Sequence, residues 1–138
     1  WASLLLLGQD GQAGHESLAQ SLARGRMCEL LAAQGPTVPP ELAFTAGLLS
    51  SFDLLLGVEL ERALSDLPIE TSLREAVLQG RGALGELVAD VKDYQLGRPE
   101  RAVRSGIGES GLSSAAVESL IWAVEVSNTF SEPWEKAG

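Results

Sequence analysis

Phe44-Thr45-Ala46-Gly47-Leu48-Leu49-Ser50-Ser51-Phe52-Asp53 is the stretch on which the fold turns. Its large apolar residues fall on more than one face at helical spacing, the mark of a helix buried on several sides. Ala43, Ala46 and Gly47 are small positions where a neighbouring helix can approach closely. Pro39-Pro40 opens the helix, and Pro40 suits the first turn because its missing N–H has no intrahelical partner there. Gly57 closes it. The sequence predicts one central helix over 40–56, with Leu48 and Leu49 in the core. Ser50-Ser51 sets two hydroxyls inside that helix, and Asp53 shares a face with Ser50.

Helical patterns recur on both sides, with no convincing strand runs. Leu18, Leu22, Met27, Leu30 and Leu31 predict a helix over about 15–34, stopped by Gly35-Pro36. Before it, Trp1 to Leu7 is apolar and leads into a loop at Gly8-Gln9-Asp10-Gly11. After the central helix come a short helix at Leu60–Leu64, a turn at Asp66-Leu67-Pro68 and a helix over 69–78 that ends at Gly80. Leu84, Leu87, Val88, Val91 and Tyr94 line one stripe of a helix over 82–96 that Gly97 caps. Arg98 to Val103 reads as a short basic helix with Pro99 in its first turn, and Gly106 to Gly111 as a connector. Ser113 is the expected N-cap of the last helix, with Leu112 stapled onto Val117. That helix is expected to point Val117, Leu120, Ile121 and Val124 inward and to fray after Phe130, leaving 131–138 as a tail. The expected fold is all-α, a compact bundle of roughly six to eight helices.

Several segments, in order, resemble one family. Phe44 to Asp53 resembles the hydrophobic-Gly-Leu-Leu-His-Asp helix of HD-type phosphohydrolases, with Ser50-Ser51 where the enzymes carry His-Asp. It is closer still to their non-catalytic relatives, the HDOD (HD-related output) domains of bacterial signalling proteins. Arg24-Gly25-Arg26-Met27-Cys28-Glu29-Leu30-Leu31-Ala32 is similar to the RARxCELLA segment of HDOD domains that follow an EAL domain. Leu67-Pro68-Ile69 and the run from Gly82-Ala83-Leu84-Gly85-Glu86-Leu87 to Tyr94-Gln95-Leu96-Gly97 match the next blocks. After Gly97 the match is loose. The resemblance implies an HD-like bundle over 1–130, with further helices and an EAL-like domain upstream. In the enzymes the His-Asp pair holds divalent metals. Two hydroxyls cannot replace an imidazole and a carboxylate as primary ligands.

Composition narrows the partners. The 138 residues carry 19 acidic and 10 basic side chains, a net charge of −9. Such a surface repels nucleic acid and anionic membranes on average. No run is long enough to span a bilayer, and the start lacks the charged region and cleavage pattern of a signal peptide. The one cysteine, Cys28, lies among apolar residues and reads as an inert core thiol. With no disulfide possible, a cytoplasmic setting is expected.

Candidate chemistry is sparse. The single His, His15, reads as a solvated residue near the first helix, which leaves neither a metal set nor a nucleophile-base pair. Gly80-Arg81-Gly82 and Gly106-Ile107-Gly108 lack the Lys-Ser/Thr of a phosphate loop and follow no strand. The expectation is therefore no enzyme, no metal and no cofactor. Ser50, Ser51 and Asp53 mark a degenerate metal groove. They either fill the space of lost ligands or line a retained pocket for a small molecule. Arg98, Arg101 and Arg104, spaced by three along one ridge, are candidate contacts for an acidic protein partner or the chain's own upstream domain, or else pair with acidic neighbours. The resemblance implies a regulatory or protein-interaction module of bacterial signal transduction. The alternatives are an atypical metal-dependent HD-type phosphohydrolase and a small-molecule sensor.

Overall fold

The computed structural model describes the backbone of residues 11–102 and 104–137, and side chains over 17–102 and 104–129. The apolar start at Trp1–Leu7, the loop Gly8–Asp10, the His15 side chain, Val103 and Gly138 lie outside these limits. The described chain is all-α, with no strand among its described residues. Seven helices follow in order: α1 (Gly11–Ala32), α2 (Pro40–Leu49), α3 (Phe52–Leu56), α4 (Leu60–Leu64), α5 (Thr71–Gln79), α6 (Gly82–Gln95) and α7 (Glu109–Ala137). A 3₁₀ turn at Pro99–Arg101 joins α6 to α7.

Helix α1 is the hub, packed on α2, α6 and α7. One cavity joins Leu31 and Ala32 to Ser110 and Gly111, and another joins Gln20 and Arg24 to Ser119 and Leu120, so α1 and α7 run antiparallel. The core holds Met27, Cys28 and Leu31 of α1, Leu64 of α4, Leu87, Val88 and Val91 of α6, and Leu112 and Ala115 of α7. Trp122 of α7 anchors the far side. Phe44 meets its ring edge-on at 6.0 Å, and the Arg26 guanidinium lies 5.4 Å above it, a cation–π contact.

The α1–α2 crossing is tight because of glycine. A Cβ at Gly47 would stand 2.9 Å from Cys28 Sγ and 2.9 Å from Gly25 Cα. On α2 the buried residues are Ala43, Ala46 and Gly47, while Leu48 and Leu49 are half-buried. The small residues make the central contact, and Leu49 packs at the margin of the core. Gly57 and Gly80 end α3 and α5 in left-handed conformation, φ 69° and 68°, which only glycine adopts without strain.

The helix expected over 40–56 breaks at Ser50-Ser51. The Ser51 amide bonds to Leu48 O at 3.0 Å rather than continuing to Gly47 O. The released Gly47 carbonyl accepts both serine hydroxyls, Ser50 Oγ at 2.6 Å and Ser51 Oγ at 3.2 Å. Serine hydroxyls compete for backbone partners in this way, and a pair of them ends the helix.

The last helix departs furthest from expectation. It starts at Glu109, with Leu112 N bonded to Gly108 O at 3.1 Å, so Ser113 lies inside it and caps nothing. Glu109 in the first turn suits the positive end of the helix dipole. Leu112 is 1% exposed and Val117 59%, so the two do not staple. Val117, Leu120, Ile121 and Val124 face solvent, and the buried face is Leu112, Ala115, Ser119, Ala123 and Ser127. Small residues let α7 lie close on α1, and that close fit decides which face turns in. The backbone stays helical through Ala137, beyond the tail expected from 131.

Candidate functional site

Ser50 and Ser51 are fully buried and their hydroxyls are turned into α2. The break they create has a second consequence. In a continuous helix Ser50 O would accept the Leu54 amide, but that amide bonds to Ser51 O at 3.0 Å. The freed Ser50 carbonyl accepts Arg24 Nη1 at 3.0 Å, with Ser50 Oγ at 3.4 Å. Arg24 Nε donates to Gln95 Oε1 at 2.7 Å, and Gln95 Nε2 in turn donates to Gln20 O at 3.4 Å. One guanidinium thus ties α1, the α2–α3 break and the end of α6.

Arg24 is 3% exposed, and all of its hydrogen-bond acceptors are uncharged. Burial lowers its pKa from the usual value, opposed by the nearby charge of Asp53. A guanidinium keeps its proton even so. Positive charge therefore stands against the Ser50 position. Burial also pushes the neighbouring Cys28 thiol up to about 12, against the weaker pull of Arg24. Cys28 is a packed thiol at neutral pH.

Asp53 separates from the serines. It is half-buried, accepts the Leu54 amide at 2.9 Å through Oδ1, and lines a groove of about 530 Å³ between α1, α3, α7 and the end of α6. Ser50 and Ser51 are not on that groove, whereas Arg24, Lys92 and Ser119 are. The sequence grouped Ser50, Ser51 and Asp53 by helical spacing, and the helix break divides them. Among the described residues no three His, Cys, Asp or Glu side chains are placed to hold a metal ion.

The three arginines do not form a helical ridge. Only the 3₁₀ turn at Pro99–Arg101 lies between Arg98 and Arg104. Arg104 Nη1 bonds to Asp93 Oδ2 at 2.7 Å and Asp90 Oδ1 at 3.1 Å, and Arg98 reaches Asp93 at 3.5 Å. Asp90 is fully buried and also accepts the amides of Arg104 and Ser105 and the Ser105 hydroxyl. These bonds clamp the 104–105 segment onto α6. Arg98 and Arg104 are therefore internal partners of aspartates, and Arg101 alone of the three is exposed without an ion pair among the described residues.

The feature that sequence patterning missed is the outer face of α7. Val117, Leu120, Ile121 and Val124 are 59, 54, 57 and 43% exposed, spaced i, i+3, i+4, i+7. Four large aliphatic residues thus form one solvent-facing apolar stripe. Its sequence signal is an amphipathic stripe, which periodicity alone cannot tell from a core-facing one. No described helix is long and apolar enough to cross a membrane. Set against known proteins, the chain matches no family model, no curated protein and no solved structure.

Proposed function

We propose that this chain is a non-enzymatic regulatory module of bacterial signal transduction that works by docking a protein surface on the outer face of α7. The observation that carries the reading is the exposed stripe Val117, Leu120, Ile121 and Val124. A helix that shows four large aliphatic residues to water while burying Leu112 and small residues on its other side is built to be covered on both sides. The expected occupant is apolar protein surface, supplied by the domain that the resemblance to HDOD domains places upstream in the same polypeptide. Charge at the rim is acidic, with Glu118 and Glu125 exposed beside the stripe, which favours basic side chains around that apolar surface.

The Ser50 position supports the non-enzymatic part. The Arg24 guanidinium bonded there repels a divalent cation, and both serine hydroxyls are already engaged by Gly47 O. A metal-dependent hydrolase needs anionic and imidazole ligands at this position.

The test is thiol accessibility of Ile121→Cys. Cys28 is buried and stays silent at neutral pH. Alkylation should be rapid in the 138-residue chain and at least about tenfold slower in the polypeptide that carries the upstream domain. Equal rates in the two proteins would overturn the docking reading.

A further inference from the structure

We infer that the groove between α1, α3, α7 and the end of α6 binds a small amphiphile with one negative charge, an aliphatic carboxylate, its head held by Arg24 and Ser119. Three observations converge on it. Arg24 is a buried cation whose hydrogen bonds go to Gln95 and Ser50 alone, through Nε and Nη1. Its Nη2 makes no hydrogen bond among the described residues. Asp53 offsets this buried charge only through space, with no hydrogen bond to the guanidinium, and an anionic group bonded at Nη2 would stabilise it further.

Ser119 lines the same groove, is 1% exposed, and its hydroxyl is buried with no hydrogen-bond partner. Buried hydroxyls are rarely left unpaired, so an orphan on a groove wall points to a ligand acceptor. Much of the remaining wall is apolar, beside the polar side chains of Gln20, Tyr94 and Gln95. Met27, Leu54, Leu96, Ala116 and Leu120 line it, and Leu54 and Leu96 are among the most exposed large side chains of the molecule.

The charge count sets the class. Arg24 and Lys92 stand against Asp53 on the lining, one positive charge in excess. That excess matches a monoanion. A volume of about 530 Å³ suits a compact acyl chain. The groove shares Leu120 with the docking stripe, but Val117, Ile121 and Val124 do not line it, so shifts at those three residues tell the two sites apart.

The experiment titrates the protein with octanoate and with octylammonium, which share a tail and differ in the sign of the head, following backbone amide signals by NMR. Octanoate should saturate, with shifts centred on Arg24, Leu54, Leu96 and Ser119, and octylammonium should not. Ser119→Ala removes an orphan hydroxyl, so it should leave the thermal midpoint unchanged or higher while weakening octanoate about tenfold, as loss of a hydrogen bond to a charged group does. Arg24→Gln should abolish the preference for the anion. Equal binding of the two amphiphiles, no saturation by about 10 mM, shifts centred on Val117, Ile121 and Val124, or undiminished affinity in Ser119→Ala would each overturn the assignment.

Discussion

Arg24 and Ser50, 26 residues apart, are joined by a hydrogen bond of 3.0 Å from the guanidinium Nη1 to the backbone carbonyl. That carbonyl is available only because the helix breaks at Ser50-Ser51. The break exists because the hydroxyls of both serines take Gly47 O. The Ser50-Ser51 pair thus sets the backbone geometry and admits a cation, and the cation defines the character of the neighbouring groove.

Gly47→Ala should destabilise the protein by about 2 kcal/mol, as overpacking in a well-filled core does. The added methyl would meet Cys28 Sγ and Gly25 Cα at 2.9 Å and Arg24 O at 3.0 Å, and two of these are backbone atoms that cannot rotate away. Urea unfolding reads the change directly. A loss under about 0.5 kcal/mol would show that α1 and α2 separate easily and that the glycine crossing is not what holds them.

Asp90→Ala should cost about 3 kcal/mol, the scale for leaving buried hydrogen-bond donors without their acceptor. It strands the amides of Arg104 and Ser105, which Asp90 now accepts. Arg101→Glu should change stability by less than about 0.5 kcal/mol, because Arg101 is exposed and has no ion pair among the described residues. Similar losses in the two variants would mean that the clamp on α6 is not centred on Asp90.

Leu112→Ala should cost more than Leu49→Ala. Leu112 is 1% exposed and sits in the core, where truncation costs about 2–5 kcal/mol. Leu49 is half-buried at the core margin and should lose about 1–2 kcal/mol, less than its place in the most apolar helix suggests. Thermal or urea unfolding of the pair decides it, and the reverse order would contradict the packing.

Alkaline pH should weaken the fold through Cys28. The thiol pKa rises from 9.0 to about 12 on folding, chiefly by burial. A raised folded pKa means that the contribution to stability is complete below pH 9 and is lost as pH climbs towards 12. The unfolded chain loses the proton first, so each pH unit in that window removes about 1.4 kcal/mol. Cys28→Ala should be less stable at neutral pH and should show a shallower decline between pH 9 and 12. Parallel pH curves for the two proteins would show that the thiol is not the titrating group.

The sequence by itself determined the all-α class and most of the helix order. Leucine and alanine at helical spacing fix local structure, and Gly57, Gly80 and Gly97 stop helices because only glycine turns cheaply into the left-handed region. It also showed that Ala43, Ala46 and Gly47 allow close approach, since the absence of side-chain volume is a local property. The tertiary structure alone decided which faces turn inward. On α7 the larger aliphatic stripe lost to the smaller one, because the fit of Ala115, Ser119 and Ala123 against α1 depends on the partner's shape. The break at Ser50-Ser51 was likewise invisible, since it is settled by competition for a single carbonyl. The pairing of Arg104 with Asp90 and Asp93 required α6 to lie beside the turn that follows it. Periodicity along a chain says that a face exists. Only the shape of the neighbouring helix says whether that face is covered.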